Sequence, residues 1–475
     1  MNVRQTWKTL GWITFGSLST YGFLNQYPDY ISLKKRQKNI ESIIKSQDNN
    51  DQILEKNPVK NIDVVVVDGN DRTEKLYSDA IRKSRQRLLQ WKTEQTVPGF
   101  VIGISVRGRP VWIEGQGYAD IENNVRCHRD TIMRIASISK SITATMLAKM
   151  VEDRKIDLDN SIYNYLNDGQ FPRKQWQNEQ VDITVRQLAA HLSGIRTYKE
   201  EETDKTKTDF DCPEVYQKDY FSSVTDSLRL FKDDPLVVKP GTKFHYSTYD
   251  YTLLAAVMEN QMETKNFAKE FQKFIRNELG LLNTYLDQND QIIYNRSRYY
   301  YRDTKKPNNG QIQNVPYVDN SYKWSGGGLL SNVPDLLQFG NLLLYSYLGT
   351  DPINGRKGYL QRSTVDEMWK PLENSSPNWQ KDKSRGYGLG FSVIRNGHEN
   401  CRAFAAEPPF NNVAMHTGGA VGASSLLLIE PDSEIVVAII VNLQHALPMS
   451  LINDIVKLFS TTAIEKKDYH QKKTN

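Results

Sequence analysis

Strand-forming runs lie near the two ends of this chain and are missing from its middle, and few folds can satisfy that separation. Residues 100–106 and 111–118 are β-rich and are joined by Arg107-Gly108-Arg109-Pro110, a linker with hairpin chemistry. Strands resume only at 388–394, 413–416, 424–430 and 435–442. Between them, residues 152–345 read as helices (185–192, 252–262, 265–279 and 334–344) and long loops, while helices at 74–93 and 447–459 flank the strands. An α/β (more strictly α+β) domain follows: one sheet assembled from both chain ends, with a helical part inserted into it. The expected domain covers 71–465, with sheet parts at about 71–135 and 385–465 and a helical part at about 136–384; residues 466–475 are expected as a polar tail. No internal repeat is present, and 199–220, 288–323 and 370–385 read as polar surface insertions.

Composition removes several classes of protein. With 475 residues, a prior of ~150 per domain would allow about three domains, but the pattern places one after a leader. Twenty-five Tyr and 8 Trp beside a charged fraction of 25% exclude wholesale disorder. Lys plus Arg exceeds Asp plus Glu by only 61 to 56, too small an excess for a nucleic-acid-binding stripe. Cys127, Cys212 and Cys401 are far apart, and the seven histidines include no pair at helical metal-ligand spacing, so neither a disulfide framework nor a metal site is expected. The chain also lacks a phosphate loop, a GxGxxG turn, HExxH and GxSxG. Chemistry without metal or organic cofactor is the expectation.

The first 28 residues carry Arg4 and Lys8 but no acid, and 9–28 is an uncharged mixture of apolar and hydroxyl residues. This fits a mitochondrial targeting segment, with weak membrane association through the same stretch; a secretory signal or signal anchor is the alternative. Residues 29–70 read as a polar linker. Sequons at Asn295 and Asn374 matter only on the secretory alternative.

The chemical signal is Arg134-Ile-Ala-Ser137-Ile-Ser-Lys140, where a buried helix (138–151) begins. Serine and lysine three apart lie on one helical face, so a neutral lysine amine can take the serine proton as the oxygen attacks a carbonyl. The helix N-terminus favours the developing negative charge. The bland reading is that Ser137 merely caps the helix. Two later segments argue against it: Tyr246-Ser247-Thr248, ahead of an apolar helix, and His416-Thr417-Gly418-Gly419, at the end of a strand run.

The order SxxK, Tyr-x-x, [KH]TG resembles that of serine β-lactamases and penicillin-binding proteins. The chain is similar to the class C β-lactamase-like family of serine hydrolases, most of all to its mitochondrial animal-type branch. Supporting segments are Pro98-Gly99-Phe100, Leu188-Ala-Ala-His191-Leu-Ser193-Gly194, Trp324-Ser-Gly326-Gly327-Gly328, Gly386-Tyr-Gly388-Leu-Gly390-Phe and the run from His416, spanning about residues 95–445. The resemblance implies the β-lactamase/penicillin-binding-protein-like transpeptidase fold. It also implies Ser137 as the acyl-accepting nucleophile, Lys140 as its base and Tyr246 as a proton shuttle, with the backbone N–H groups of Ser137 and Gly419 forming an oxyanion hole. Thr248, His416, Thr417 and Gly418 are implied to contact substrate. Free lysine and tyrosine both titrate near ~10, and whether Lys140 or Tyr246 is the working base stays open.

Two departures bear on specificity. Tyr246-Ser-Thr248 stands where many relatives have Tyr-x-Asn, and His416 replaces the lysine of KTG. A histidine half charged near pH ~6.5 recognises a substrate carboxylate less firmly than a fixed cation. Poor β-lactamase activity is expected, improving on carboxylate-bearing substrates as His416 becomes charged. His191, Ser193 and Gly326 to Gly328 are read as structural. The branch implies a mitochondrial serine protease-like enzyme that influences lipid metabolism; a peptide-like or lipid-like acyl substrate and a homo-oligomer are expected, and an esterase, or a self-assembling scaffold with vestigial catalysis, are the alternatives.

Overall fold

The computed structural model describes residues 71–199, 212–302, 311–350, 355, 357–395, 410–447 and 449–474. The leader, the linker and Cys401 lie outside the described residues. Arg107 and Gly108 both adopt positive φ (51° and 74°), the two-residue turn whose twist matches that of paired strands. They join β1 (Gly99–Val106) to β2 (Arg109–Asp120), and a short β3 (Val125–Arg126) follows. The other strands of the main sheet come from the far end of the chain: β4 (Arg385–Tyr387), β5 (Ser392–Ile394), β6 (Val413–Ala420), β7 (Ala423–Glu430) and β8 (Ile435–Val441). They form one antiparallel sheet in the order β4-β5-β6-β7-β8-β1-β2-β3. The seam between the chain ends is β1 on β8, in register from Phe100↔Val441 to Val106↔Ile435.

Every residue of β8 is buried because the sheet is covered on both faces. Val436, Ala438 and Ile440 face the inserted helical part, whereas Ile435, Val437, Ile439 and Val441 pack under α1 (Asp71–Glu94) and the C-terminal helix (Met449–Thr474), with Trp91, Trp112 and Phe459. Central to the inserted part is α2 (Ile138–Glu152), followed by the short α3 (Val185–Ala189), then α4 (Thr248–Glu259) and α5 (Val333–Leu348). The C-terminal helix is α6. This architecture is the β-lactamase/penicillin-binding-protein fold expected from the sequence.

Some boundaries differ, each for a local reason. The single strand expected at 388–394 is a tight β4–β5 hairpin: Gly390 has φ 75°, and a side chain at Gly388 would collide with the Met368 carbonyl. The helix expected at 185–192 stops at Ala189, because His191 turns to φ 58°. The helix expected over 265–279 loses its α pitch at Phe274–Glu278, which forms a π turn. Residues 466–474, expected as a tail, continue α6.

Helix α5 lies across the sheet on two glycines. It starts with the Asn332 side chain accepting the Asp335 N–H and ends at Gly349, φ 91°. A Cβ on Gly340 would drive into Val436 of β8, and one on Gly103 of β1 into Val333 and Leu337. Gly→Ala inside an exposed helix ordinarily stabilises by about 1 kcal/mol. Here Gly340→Ala should have the opposite sign, destabilising by about 1–3 kcal/mol through overpacking, which a fall in Tm would register and an unchanged or raised Tm would contradict.

Candidate active site

The strand segment Met133–Arg134 leads into α2 through a strained turn. Ala136 sits at φ 49°, a conformation disfavoured for any residue with a Cβ, and Ser137 returns to helical geometry at the N-cap. Surrounding groups enforce the turn. Arg134 forms a buried ion pair with Asp287 at 2.8 Å and donates to the Val421 carbonyl, while Ser425 Oγ on β7 donates to the Ile135 carbonyl at 2.7 Å. Ser137 occupies the capping position but makes no side-chain capping bond. The hydroxyl is therefore left to other partners.

Those partners are Lys140 and Tyr246. Lys140 Nζ lies 3.2 Å from Ser137 Oγ and donates to the Gly326 carbonyl at 2.5 Å. The amine is fully buried, and burial brings its pKa down to about 7, helped by the charge of Lys323 and opposed by Asp250. Near neutrality an unprotonated amine can keep one N–H on Gly326 and turn its lone pair to the serine. The Tyr246 phenol borders the same cavity as Ser137, and burial, opposed by the nearby Ser137 hydroxyl, pushes its titration above the ordinary tyrosine value and so favours the protonated phenol. Burial thus favours the neutral, proton-accepting form of Lys140 and the protonated, proton-donating form of Tyr246.

A cavity of about 520 Å³ opens in front of Ser137. It is lined by Phe244, Tyr246, Tyr387, Met415 and Met449, with Ser392, His416, Thr417 and Gly419 completing the wall. Ser137 and Gly419, the implied oxyanion-hole pair, thus border the same space. Thr248 and Gly418 are not among the lining residues. Thr248 begins α4 with its methyl group close to Gly326. Gly418 is pressed against the Ile135 carbonyl and Ala136, and is the close crossing that lays β6 beside the nucleophile turn. Among the described residues no group of three His, Cys, Asp or Glu side chains is placed to hold a metal ion.

The expectation of a titrating His416 facing a substrate carboxylate is corrected by its surroundings. Its Nδ1 lies 2.6 Å from the Thr417 carbonyl, which can only accept, so the proton sits on Nδ1. Nε2 then accepts the Tyr387 hydroxyl at 2.7 Å. Both ring nitrogens are occupied, and burial, reinforced by Lys140, takes the pKa to about 3. His416 is a neutral anchor of the cavity wall. Sequence reasoning missed its partner Tyr387, although the Gly386-Tyr-Gly388 run announces an aromatic held between two close backbone crossings. It also gave Gly326 a packing role only. A Cβ there would meet Thr248 and Tyr251, but the carbonyl is also the second anchor of the lysine.

Fold and site define a serine-hydrolase architecture of the SxxK type, and the chain belongs to the β-lactamase family, which matches residues 77–458. Among curated relatives it is similar to the mitochondrial serine β-lactamase-like protein LACTB of Mus musculus, 39% identical over 443 residues, 78% of each chain. Among solved structures it resembles EstCE1, a hydrolase with promiscuous acyltransferase activity, at TM-score 0.63 and 21% identity over 83% of this chain and all of that one. It also resembles a D-stereospecific amidohydrolase from a Streptomyces species, at TM-score 0.60 and 24% identity over 78% and 97% of the two chains.

If Lys140 is the base, its neutral fraction sets the rate. For an uncharged ester, kcat/KM should rise about tenfold per pH unit below pH about 7 and level off above it, since the protonated amine cannot accept the Ser137 proton. A profile flat between pH 6 and 8 would remove Lys140 from that role.

Proposed function

We propose that this protein is an acyl-serine hydrolase that cleaves an ester or amide of an uncharged, apolar acyl group, by the same route in either case. The observation that carries this reading is the shared hydroxyl of Ser137, which faces a depressed-pKa lysine and a protonated tyrosine at the mouth of one apolar cavity. Ser137 Oγ attacks the carbonyl carbon as its proton passes to Lys140 Nζ, and the oxyanion takes the backbone N–H groups of Ser137 and Gly419. Collapse expels the leaving group, which takes the Tyr246 proton, and the lysine ammonium returns a proton to the phenolate. Water then attacks the acyl-serine with the same pair acting in reverse.

Substrate class follows from the wall. Phe244, Tyr387, Met415 and Met449 offer apolar and aromatic surface, and His416 is neutral, so among the described residues no lining side chain supplies a fixed cation for a carboxylate. That favours lipid-like or apolar peptide-like acyl groups over β-lactam antibiotics. The likeness to LACTB supports a mitochondrial location, a protease-like activity and a part in lipid metabolism for this chain. The convergence of Ser137, Lys140 and Tyr246 at one cavity argues for an enzyme over a scaffold.

Wild-type protein should be labelled by a fluorophosphonate probe and hydrolyse medium-chain p-nitrophenyl esters, with Ser137→Ala losing both and keeping its Tm within a few degrees. Hydrolysis undiminished in Ser137→Ala would overturn the nucleophile. For paired substrates differing only in a terminal carboxylate against an amide, kcat/KM should favour the amide by about tenfold or more, the difference between a charge-assisted and an ordinary hydrogen bond.

A further inference from the structure

His191 holds the Tyr246 loop from both sides of that tyrosine. Its backbone carbonyl accepts the His245 N–H at 2.9 Å, and its Nδ1 faces the Ser247 N–H at 3.3 Å. The imidazole is fully buried against Tyr246 itself, with ring centroids 4.2 Å apart, and is boxed in by Tyr387, Tyr251 and Phe244. On its far side Nδ1 meets Asp250 Oδ2 at 2.8 Å. The other Asp250 oxygen accepts the Ser193 hydroxyl, whose oxygen in turn accepts the Ile195 N–H. The left-handed backbone of His191, which ends α3, is what aims the ring into this position.

These contacts fix where the protons are. A backbone N–H can only donate, so the Ser247 contact at 3.3 Å needs the Nδ1 lone pair, which is then shared between Ser247 and the shorter contact to Asp250. The 2.8 Å contact then needs its hydrogen on Asp250. The imidazole hydrogen is left on Nε2, which has no hydrogen-bond partner among the described residues. We propose that Asp250 and His191 form an uncharged acid–imidazole pair, Asp250 O–H donating to Nδ1, that positions Tyr246 and leaves the neighbouring lysine uncompensated by any carboxylate. Burial pushes the acid up and the imidazole down, which agrees with this arrangement. An ionised Asp250 would instead favour a charged Lys140 and weaken it as a base. The titratable groups facing the pair are Lys140 from α2, His245 and Tyr246 from the loop, Tyr251 from α4, and Tyr387 and His416 from the sheet edge. His191 and Asp250 are positioning residues: neither lines the cavity. The inference rests on Lys140 being the base of the proposed reaction.

The test uses a series in which only one member preserves the donor. Asn at 250 keeps a neutral N–H donor to Nδ1, whereas Ala removes it and an imidazole-to-phenyl change removes the acceptor. Asp250→Ala and His191→Phe should each lower kcat by about 10- to 100-fold with KM changed less than about threefold, and Asp250→Asn should recover at least about tenfold of that loss with the acid-limb pKa of kcat/KM unmoved. An Asp250→Asn variant no better than Asp250→Ala, or one whose acid limb moves down by about a unit or more, would mean that the carboxylate is ionised and would overturn the proposal. A readout independent of turnover separates this from the reading it rests on. In wild-type protein at pH 7–8, infrared spectroscopy should show a protonated-carboxyl band that is absent from Asp250→Asn, and ¹⁵N spectra should place the His191 hydrogen on Nε2. Absence of the band, or a hydrogen on Nδ1, would overturn the neutral pair even if Lys140 is confirmed as the base. Presence of both with a flat pH profile would leave the pair standing and refute the base.

Discussion

A lysine can serve as a base near neutral pH only if water is kept from its amine, and the architecture around α2 serves that end. The helix is buried nearly all round, including residues whose side chains are polar. Such a helix is tolerated because each buried hydroxyl finds backbone. Ser139 donates to the Ala136 carbonyl and accepts the Leu329 N–H, Ser141 donates to Gly390, and Thr143 donates to Ser325. These bonds tie the helix to the 325–329 segment and to the β4–β5 turn, the two pieces that close over Lys140. The Gly326 carbonyl then satisfies one amine hydrogen without supplying a negative charge, so the amine is solvated by the protein without a hydrogen-bonded carboxylate.

The same enclosure explains why the site draws on three distant stretches of chain. Ser137 and Lys140 follow the N-terminal strands, Tyr246 belongs to the inserted helical part and Gly419 to the returning sheet. The buried Arg134–Asp287 pair joins the first of these to the insertion, with Arg296 on the second carboxylate oxygen and Asn320 donating to the first. Removing one partner of such a pair leaves an unpaired buried charge, at a cost of about 3–5 kcal/mol, so its role is to fix the geometry of the junction. The strained Ala136 persists because both flanks of the turn are held.

The sheet could be read from sequence because its strands are buried on two faces and appear as continuous apolar runs, as in 435–441. The Ser137/Lys140 pair was legible because three-residue spacing on a helix is itself a geometry. What could not be read depended on contacts made across the chain. His416 looked like a titrating cation substitute because its replacement of lysine is visible in sequence, whereas the Tyr387 hydroxyl that occupies its Nε2 is 29 residues away. Thr248 was assigned to substrate from its place after Tyr246, but the start of α4 carries it toward Gly326. His191 and Ser193 read as structural from the sequence, and the loop that His191 holds is the one bearing Tyr246.

Neutrality at the cavity wall and the readiness of the Lys140 ammonium to lose its proton are one constraint seen from two sides. With His416 uncharged, no lining residue among those described offers a fixed positive charge, and the low pKa of Lys140 rests first on burial and then on Lys323. A substrate carboxylate brought into such a cavity would meet no compensating cation and would itself stabilise the Lys140 ammonium, converting the base to its inactive form as it bound. A fixed cation at position 416 would blunt both effects by neutralising the substrate charge and opposing protonation of the lysine. With a hydrogen-bonded neutral imidazole at position 416 in place of the KTG lysine, the proposed base is suited to uncharged acyl groups, and an anionic ligand is expected to be disfavoured in binding and again in proton transfer.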